Sequence, residues 1–399
     1  MKALICVVGM MVYGAVQAKT VPGCELVRTK DTSTSGSEVI RGLLSAAKFD
    51  ALDAELGLRL SAHESGKDTD LRLYRDLDLV VGNGRELKAD IQRWALAKPK
   101  SFFANLTAAM HHRNAGFRER GTAFAGKTTD AQFEAMRREF AMAIPYTNAA
   151  MALNPRSALP HTNMLPISGG QVGYTAAASI LSEALLADAK SIAARAIAVT
   201  YFAPKWGGSF EAVTQLVRNA EGAGVPASQL HYLKFSDLME QGAHWWSVDP
   251  APKKAMEAYR MALRACPNAE RAMDGMLANA VKLSDWDAVI DEVSRSEAAG
   301  HLFAKGASRR GNAHEKKGDM TRAVKDYEQA MALGDAWATG KLGYLHLVGN
   351  GVPKDLVKAR ALLVTAVSQG NTSAQRNLDW LNRQQGGPQG ASSSLRGPD

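Results

Sequence analysis

Three cysteines in a chain of 399 residues are too few for a disulfide framework. None of them stands at the Cys-Cys or Cys-His spacing of a zinc cluster, so no structural metal is expected. Long apolar runs are also scarce. The Ala-rich stretch from Ala176 to Val199 is broken by Glu183, Asp188, Lys190 and Arg195, which excludes a membrane span there. Strand-like alternation is nearly missing, and aromatics make up only 7% of the chain. The signatures of chemistry are missing too. There is no Gly-x-Ser-x-Gly elbow, no His-Glu-x-x-His, no Walker-type phosphate loop and no calcium loop. Gly82-Asn83-Gly84 reads as a turn, since the third glycine of a dinucleotide fingerprint does not follow. Asp76 and Asp78 stand two apart, on different faces of a helix. His111 and His112 are adjacent and about 100° apart on a helix, so a surface or helix-end role is expected of them rather than metal ligation. No catalytic residue, cofactor or metal is therefore expected. A carboxylate pair assembled from distant segments is the one enzymatic arrangement left open.

What the chain does have begins at its first residues. Lys2 precedes an uncharged, mostly apolar run from Ala3 to Val16, and Val16-Gln17-Ala18 offers small side chains for signal peptidase. The expectation is a signal peptide over 1–18, cleaved after Ala18, and a periplasmic or secreted product with no transmembrane span. An uncleaved anchor or a buried helix is the alternative. Val21-Pro22-Gly23-Cys24 loosely resembles a lipobox, but Pro22 and the charge on Lys19 argue against it. Cys6 would leave with the signal. Cys24 and Cys266 then either pair, as an oxidising compartment permits, or remain a free thiol and a packed one. The formal charge of +8 becomes +7 without Lys2. Outside the cytoplasm that balance favours anionic envelope surfaces or acidic partners over nucleic acid.

The C-terminal half repeats. Ala255, Ala288, Ala323 and Ala359 recur at separations of 33, 35 and 36 residues. Tyr259 and Tyr327 follow their alanines by four residues, and Ala262, Ala330 and Ala366 follow by seven, so these side chains share a helical face. Gly311-Asn312-Ala313, Gly318-Asp319, Ala323, Tyr327 and Ala330 resemble a tetratricopeptide repeat. Ala255, Tyr259, Ala262 and Pro267 resemble the second helix and closing proline of another. Leu342-Gly343, Gly349-Asn350-Gly351-Val352, Asp355, Lys358-Ala359, Ala366 and Gly370 are similar to the Sel-type subclass, whose glycines suit an enlarged inter-helix turn. Lys354 to Gln369 then reads as a second helix and Ala374 to Leu381 as a terminal cap. The unit around Trp286-Asp287-Ala288 departs from the pattern, with Glu292 in the aromatic position. The resemblance implies an all-α, tetratricopeptide-like helical-hairpin solenoid wound as a right-handed superhelix.

The N-terminal half is helical but less regular. Phe49-Asp50-Ala51-Leu52 and Met151-Ala152-Leu153-Asn154-Pro155 resemble parts of degenerate repeats. Trp94, Pro99-Lys100-Ser101 and Arg118-Glu119-Arg120-Gly121, with Pro204-Lys205-Trp206-Gly207-Gly208-Ser209, resemble a bacterial family known only as a domain of unknown function. The expected organisation is a helical domain over 25–225, repeats over 226–382 and a disordered tail over 383–399.

One stretch carries local chemistry. Arg93, Lys98, Lys100, Arg113, Arg118 and Arg120 are opposed only by Glu119 and interleaved with Trp94, Phe102, Phe103 and Phe117. Such a pattern is either core aromatics beneath a solvated basic surface, the favoured reading, or a groove for an anionic ligand. Trp206-Gly207-Gly208-Ser209 reads as a turn whose serine caps a helix over Phe210 to Glu221, and His244-Trp245-Trp246 as an aromatic contact with one ring near the surface. The candidate binding residues are Arg113, Arg118, Arg120, Trp206 and Trp245. The expected function is an exported scaffold that binds a protein or peptide partner. The alternative is an enzyme or small-ligand protein acting on an anionic envelope component near Arg118, Arg120 and Trp206.

Overall fold

A computed structural model describes residues 21–27, 35–82, 87–121 and 127–386. The expected signal peptide, Asn83-Gly84 and residues 387–399 of the expected tail lie outside the described residues. Among the described residues there are α-helices and short turns and no strand: α1 (Ser35–Ser45), α2 (Phe49–Glu64), α3 (Asp70–Gly82), α4 (Lys88–Ala97), α5 (Phe102–Arg120), α6 (Asp130–Leu153), α7 (Leu159–Val172), α8 (Tyr174–Ala187), α9 (Ile192–Phe202), α10 (Phe210–Gly222), α11 (Ala227–Ser247), α12 (Pro252–Ala265), α13 (Glu270–Lys282), α14 (Trp286–Ala298), α15 (Ala304–Lys316), α16 (Met320–Ala332), α17 (Ala336–Val348), α18 (Leu356–Ser368) and α19 (Thr372–Gly386). None of these helices is long and apolar enough to cross a membrane. The chain divides into two compact units, Pro22–Gly275 and one comprising Met276–Asp399.

Local sequence explains several helix starts. Ser101, Ser209, Asp285, Asp319, Asp335 and Asp355 each accept a backbone N–H of the first turn, which satisfies a donor the helix itself cannot pair. Thr129 and Gln132 form a reciprocal capping box at α6. In the Sel-like turn Gly349 and Gly351 adopt φ of 78° and 72°, the left-handed backbone that their sequence position demands.

In the unit Met276–Asp399 each helix from α14 to α19 packs on its sequence neighbours. The alanine register lands at equivalent positions of α12, α14, α16 and α18. Ala255, Ala323 and Ala359 are fully buried, and so are Ala262, Ala330 and Ala366. The tyrosine of the register fills space that a glycine leaves open. A Cβ on Gly311 would stand 2.7 Å from the Tyr327 ring. In the other unit, Cβ atoms on Gly242 and Gly275 would each stand 2.6 Å from Tyr259. The aberrant unit keeps its helix: Glu292 is buried on α14 and accepts from Arg295 at 2.8 Å. Polar links join consecutive helices there. Arg310 of α15, itself buried, binds Asp326 of α16 through Nη2 at 2.7 Å and Glu297 of α14 through Nη1 at 2.6 Å.

In the unit Pro22–Gly275 the helices are irregular in sequence but reuse the same device. Cβ atoms on Gly116 and Gly169 would stand 2.5 Å from the rings of Phe140 and Tyr201. Two helices act as hubs. α5 touches α2, α3, α4, α6 and α7, and α9 touches α3, α7, α8, α10 and α11. A helix that is apolar nearly all round is one that can be enclosed. α9 buries Ile192, Ala193, Ala194, Ala198, Val199, Tyr201 and Phe202, with Arg195 buried among them and donating to the Ser191 carbonyl at 2.9 Å.

Candidate functional site

The basic, aromatic stretch around α4 and α5 resolves mainly into core beneath paired cations. Trp94 and Phe103 are buried, and Phe102 and Phe117 are half-buried. Arg93 pairs with Asp90, and Lys98 with Asp50. Arg113 is buried, and its guanidinium donates to the Tyr74 hydroxyl, to Asp78 and to Asn114. Burial pushes the Tyr74 pKa up to about 12. Arg118 is exposed at the end of α5. Arg120 is half-buried, its guanidinium 6.0 Å from the centre of the Phe133 ring. Trp206 packs on Tyr201 with ring centres 5.1 Å apart. Burial raises the Tyr201 pKa, and Arg113 and Arg120 both act against that rise. Of the candidate residues, Trp206 touches this buried tyrosine, whereas Arg113 contacts Tyr74 and Arg120 contacts Phe133. Trp245 belongs to another cluster, with Phe210 at 5.8 Å, His244 at 4.8 Å and the Lys254 ammonium 4.2 Å from its ring centre. Trp246 beside it is exposed.

The histidine pair departs from expectation. His111 and His112 sit mid-helix and are both buried, because α5 is a hub in contact with five other helices. His112 Nδ1 lies 2.7 Å from Glu139, and its ring stacks on Tyr146. Burial, aided by His112, Arg118 and Lys88, lowers the His111 pKa to about 4.

A cleft of about 540 Å³ opens beside the ends of α2 and α8, lined among others by His63, Asp68, Arg156, Asp188, Lys190 and Gln229. On its wall His63 Nε2 lies 2.7 Å from Asp188, and His63 Nδ1 accepts the Asp70 N–H at 3.1 Å. Both ring nitrogens are therefore engaged, the neutral ring donating through Nε2. A metal would have to displace one of these bonds. The Asp70 carboxylate is fully buried and accepts from the Ser191 hydroxyl and from the amides of Ile192 and Ala193, both at 3.0 Å. Asp70 thus caps α9 from a distant helix. The trio is a latch between segments, with a polar cleft beside it.

A second depression, of about 500 Å³, lies within the unit Met276–Asp399. Alternate helices line it: Ala278 and Val281 from the end of α13, Lys305, Ser308, Arg309 and Asn312 from α15, and Asp335 with Trp337 at the start of α17. Lys305, Arg309 and Asn312 are offset by four and seven residues, which places them on one helical face. Trp337 is 42% exposed and Val281 39%, so the groove presents apolar surface to solvent between basic groups. The sequence reading did not single out these residues. The available signal was the register itself: once the alanine helices are packed inward, the helices between them must line an open face.

Residues 37–173 match the family model described as Domain of unknown function (DUF4034). Among solved structures the chain is similar to a Sel1 repeat protein from Oxalobacter formigenes, with 17% identity over 94% of this chain and 98% of that one and a TM-score of 0.37. It is also similar to c5321, a protective antigen of uropathogenic Escherichia coli strains with an SLR fold, at 14% identity over 84% and 83% of the two chains and a TM-score of 0.34. The Cut9–Hcn1 hetero-tetramer of APC/C shows 13% identity over 83% of this chain and 59% of that one, with a TM-score of 0.35. No curated protein matches the chain. Among the described residues the protein is an all-α array of helices, its C-terminal hairpins resembling tetratricopeptide and Sel-type repeats in sequence and residues 37–173 matching DUF4034.

Proposed function

We propose that the protein is an exported adaptor whose C-terminal groove holds an extended, carboxylate-bearing segment of a partner protein. One observation carries the reading: α13, α15 and α17 contribute to a single groove that combines Lys305 and Arg309 with exposed Trp337. Carboxylates of a partner would compete for the two cations, each of which already has an interaction within the chain, Asn312 can both donate to and accept from a peptide backbone, and Trp337 and Val281 cover apolar side chains. A solenoid face of this kind binds along its length. Export is supported by the N-terminal Lys2–Ala18 pattern and by a Cys24–Cys266 disulfide, which suits an oxidising compartment. The protein is proposed to act by binding, without a chemical step of its own.

Fluorescence anisotropy with labelled acidic peptides and charge-reversed controls tests this. Acidic peptides are expected to bind more tightly and to weaken as salt rises. Lys305→Glu with Arg309→Glu should cost at least about tenfold, roughly 1.4 kcal/mol, with the helical signal unchanged. Equal binding of both peptide sets, or indifference to the double variant, would remove the groove from consideration.

A further inference from the structure

Cys24, His231 and Cys266 meet in the unit Pro22–Gly275. Cys24 lies in a short helical turn before α1, His231 on α11, and Cys266 caps the end of α12. The two sulfurs are bonded, with Cα atoms 5.5 Å apart, and both cysteines are buried. His231 Nε2 stands 3.7 Å from Cys24 Sγ and 3.6 Å from Cys266 Sγ, and donates to the Ala265 carbonyl at 3.0 Å.

Pairing resolves the fate of these cysteines, but the disulfide alone does not account for the imidazole between them. Neither does it hold the N-terminal segment unaided. Gly23 is in the left-handed region at φ 94°, and a Cβ there would fall 2.1 Å from the Ser228 carbonyl oxygen. The segment can therefore lie on α11 only with glycine at that position. The Leu26 carbonyl accepts from Arg75, which also binds the Tyr232 hydroxyl of α11. Cys24 is seated by contacts that survive loss of the sulfur–sulfur bond.

We propose that Cys24, Cys266 and His231 form a redox-gated site for a thiophilic divalent cation of the zinc type. A dithiol reductant, as a class, opens it: the dithiol is oxidised to its own disulfide, and two electrons and two protons convert the Cys24–Cys266 bond to two thiols. The cation then binds both sulfurs and the His231 Nε2 lone pair. It releases the two thiol protons, while the ring proton moves to Nδ1. With bonds of about 2.3 Å to sulfur and 2.1 Å to nitrogen, a tetrahedral site needs sulfur–nitrogen edges of about 3.6 Å. Those edges are already present. Only the sulfurs must part, to about 3.8 Å, which side-chain rotation at unchanged backbone permits. The fourth position is left for water.

The test uses the full chain, reduced with dithiothreitol, freed of it anaerobically and titrated with Co²⁺. The expected result is one equivalent bound, with a sulfur-to-cobalt charge-transfer band and tetrahedral visible bands, both abolished by Zn²⁺. The oxidised chain should show neither. His231→Ala should bind at least tenfold more weakly, and Cys24→Ser should lose the visible bands, with helical circular dichroism unchanged in both. The proposal is overturned if the reduced chain gives no tetrahedral spectrum, if His231→Ala binds as tightly as the parent, or if reduction itself unfolds the unit.

Discussion

The two compact units are built from the same part, a helix pair in which a glycine yields to an aromatic ring, yet they connect those parts in different ways. Gly311 beneath Tyr327 and Gly116 beneath Phe140 are equivalent contacts. From α14 onward, packing links each helix to its neighbours in sequence, and even the buried Arg310 reaches only α14 and α16. In the unit Pro22–Gly275, α3 caps α9 through Asp70, α5 ties to α3 through Arg113, and the first turn is bound to α11 and α12. Nearest-neighbour units should loosen locally, whereas a unit joined through hubs should yield as a whole.

The sharpest way to break this comparison is at Asp70. Asp70→Ala removes one acceptor and leaves three buried donors at the start of α9 without it, which should cost about 3–5 kcal/mol. Hydrogen exchange followed by mass spectrometry should show protection falling across α3, α5 and α9 together. Loss confined to α9 would count against the hub description.

A smaller effect is expected from pH. The unfolded chain protonates His111 near its ordinary 6.5, but the folded chain does so only near 4. The unfolded state binds more protons between those values, so this contribution is complete above about pH 6.5 and is lost as pH falls toward 4. Its full size is about 3 kcal/mol. Urea midpoints at pH 7.5 and pH 5 should differ less in His111→Leu than in the parent. An identical pH dependence in the variant would exclude His111 as the source.

The smallest effect should come from Gly311→Ala. Its Cβ would press on the Tyr327 ring, and the strain should cost about 1–3 kcal/mol. Exchange should quicken in α15 and α16 and leave the unit Pro22–Gly275 unchanged. Spread into α5 or α9 would erase the distinction between the units.

The same contrast explains what was legible in the sequence. Ala255, Tyr327 and Ala366 could be read because their offsets are local and recur. Ser209 could be read as a cap because its acceptor role is settled three residues away, at Ala212. Asp70 could not, because its partners lie 121 to 123 residues later. His111 and His112 looked like surface residues because nothing nearby shows that α5 is enclosed. The stretch around Trp94 and Arg113 offered core and groove alike until the partners of its cations were known. Lys305 and Arg309 were hidden differently: they look like ordinary helix-surface charges, and only the alternation of helices places them together.

The bond between Cys24 and Cys266, 242 residues apart, turns nearly all of one unit into a closed loop of chain. A protease that cuts any strand of backbone within it produces a gapped ring with both pieces still attached. Nicked at an exposed turn, the unit would still travel as a single molecule, parting into fragments only where thiols are available.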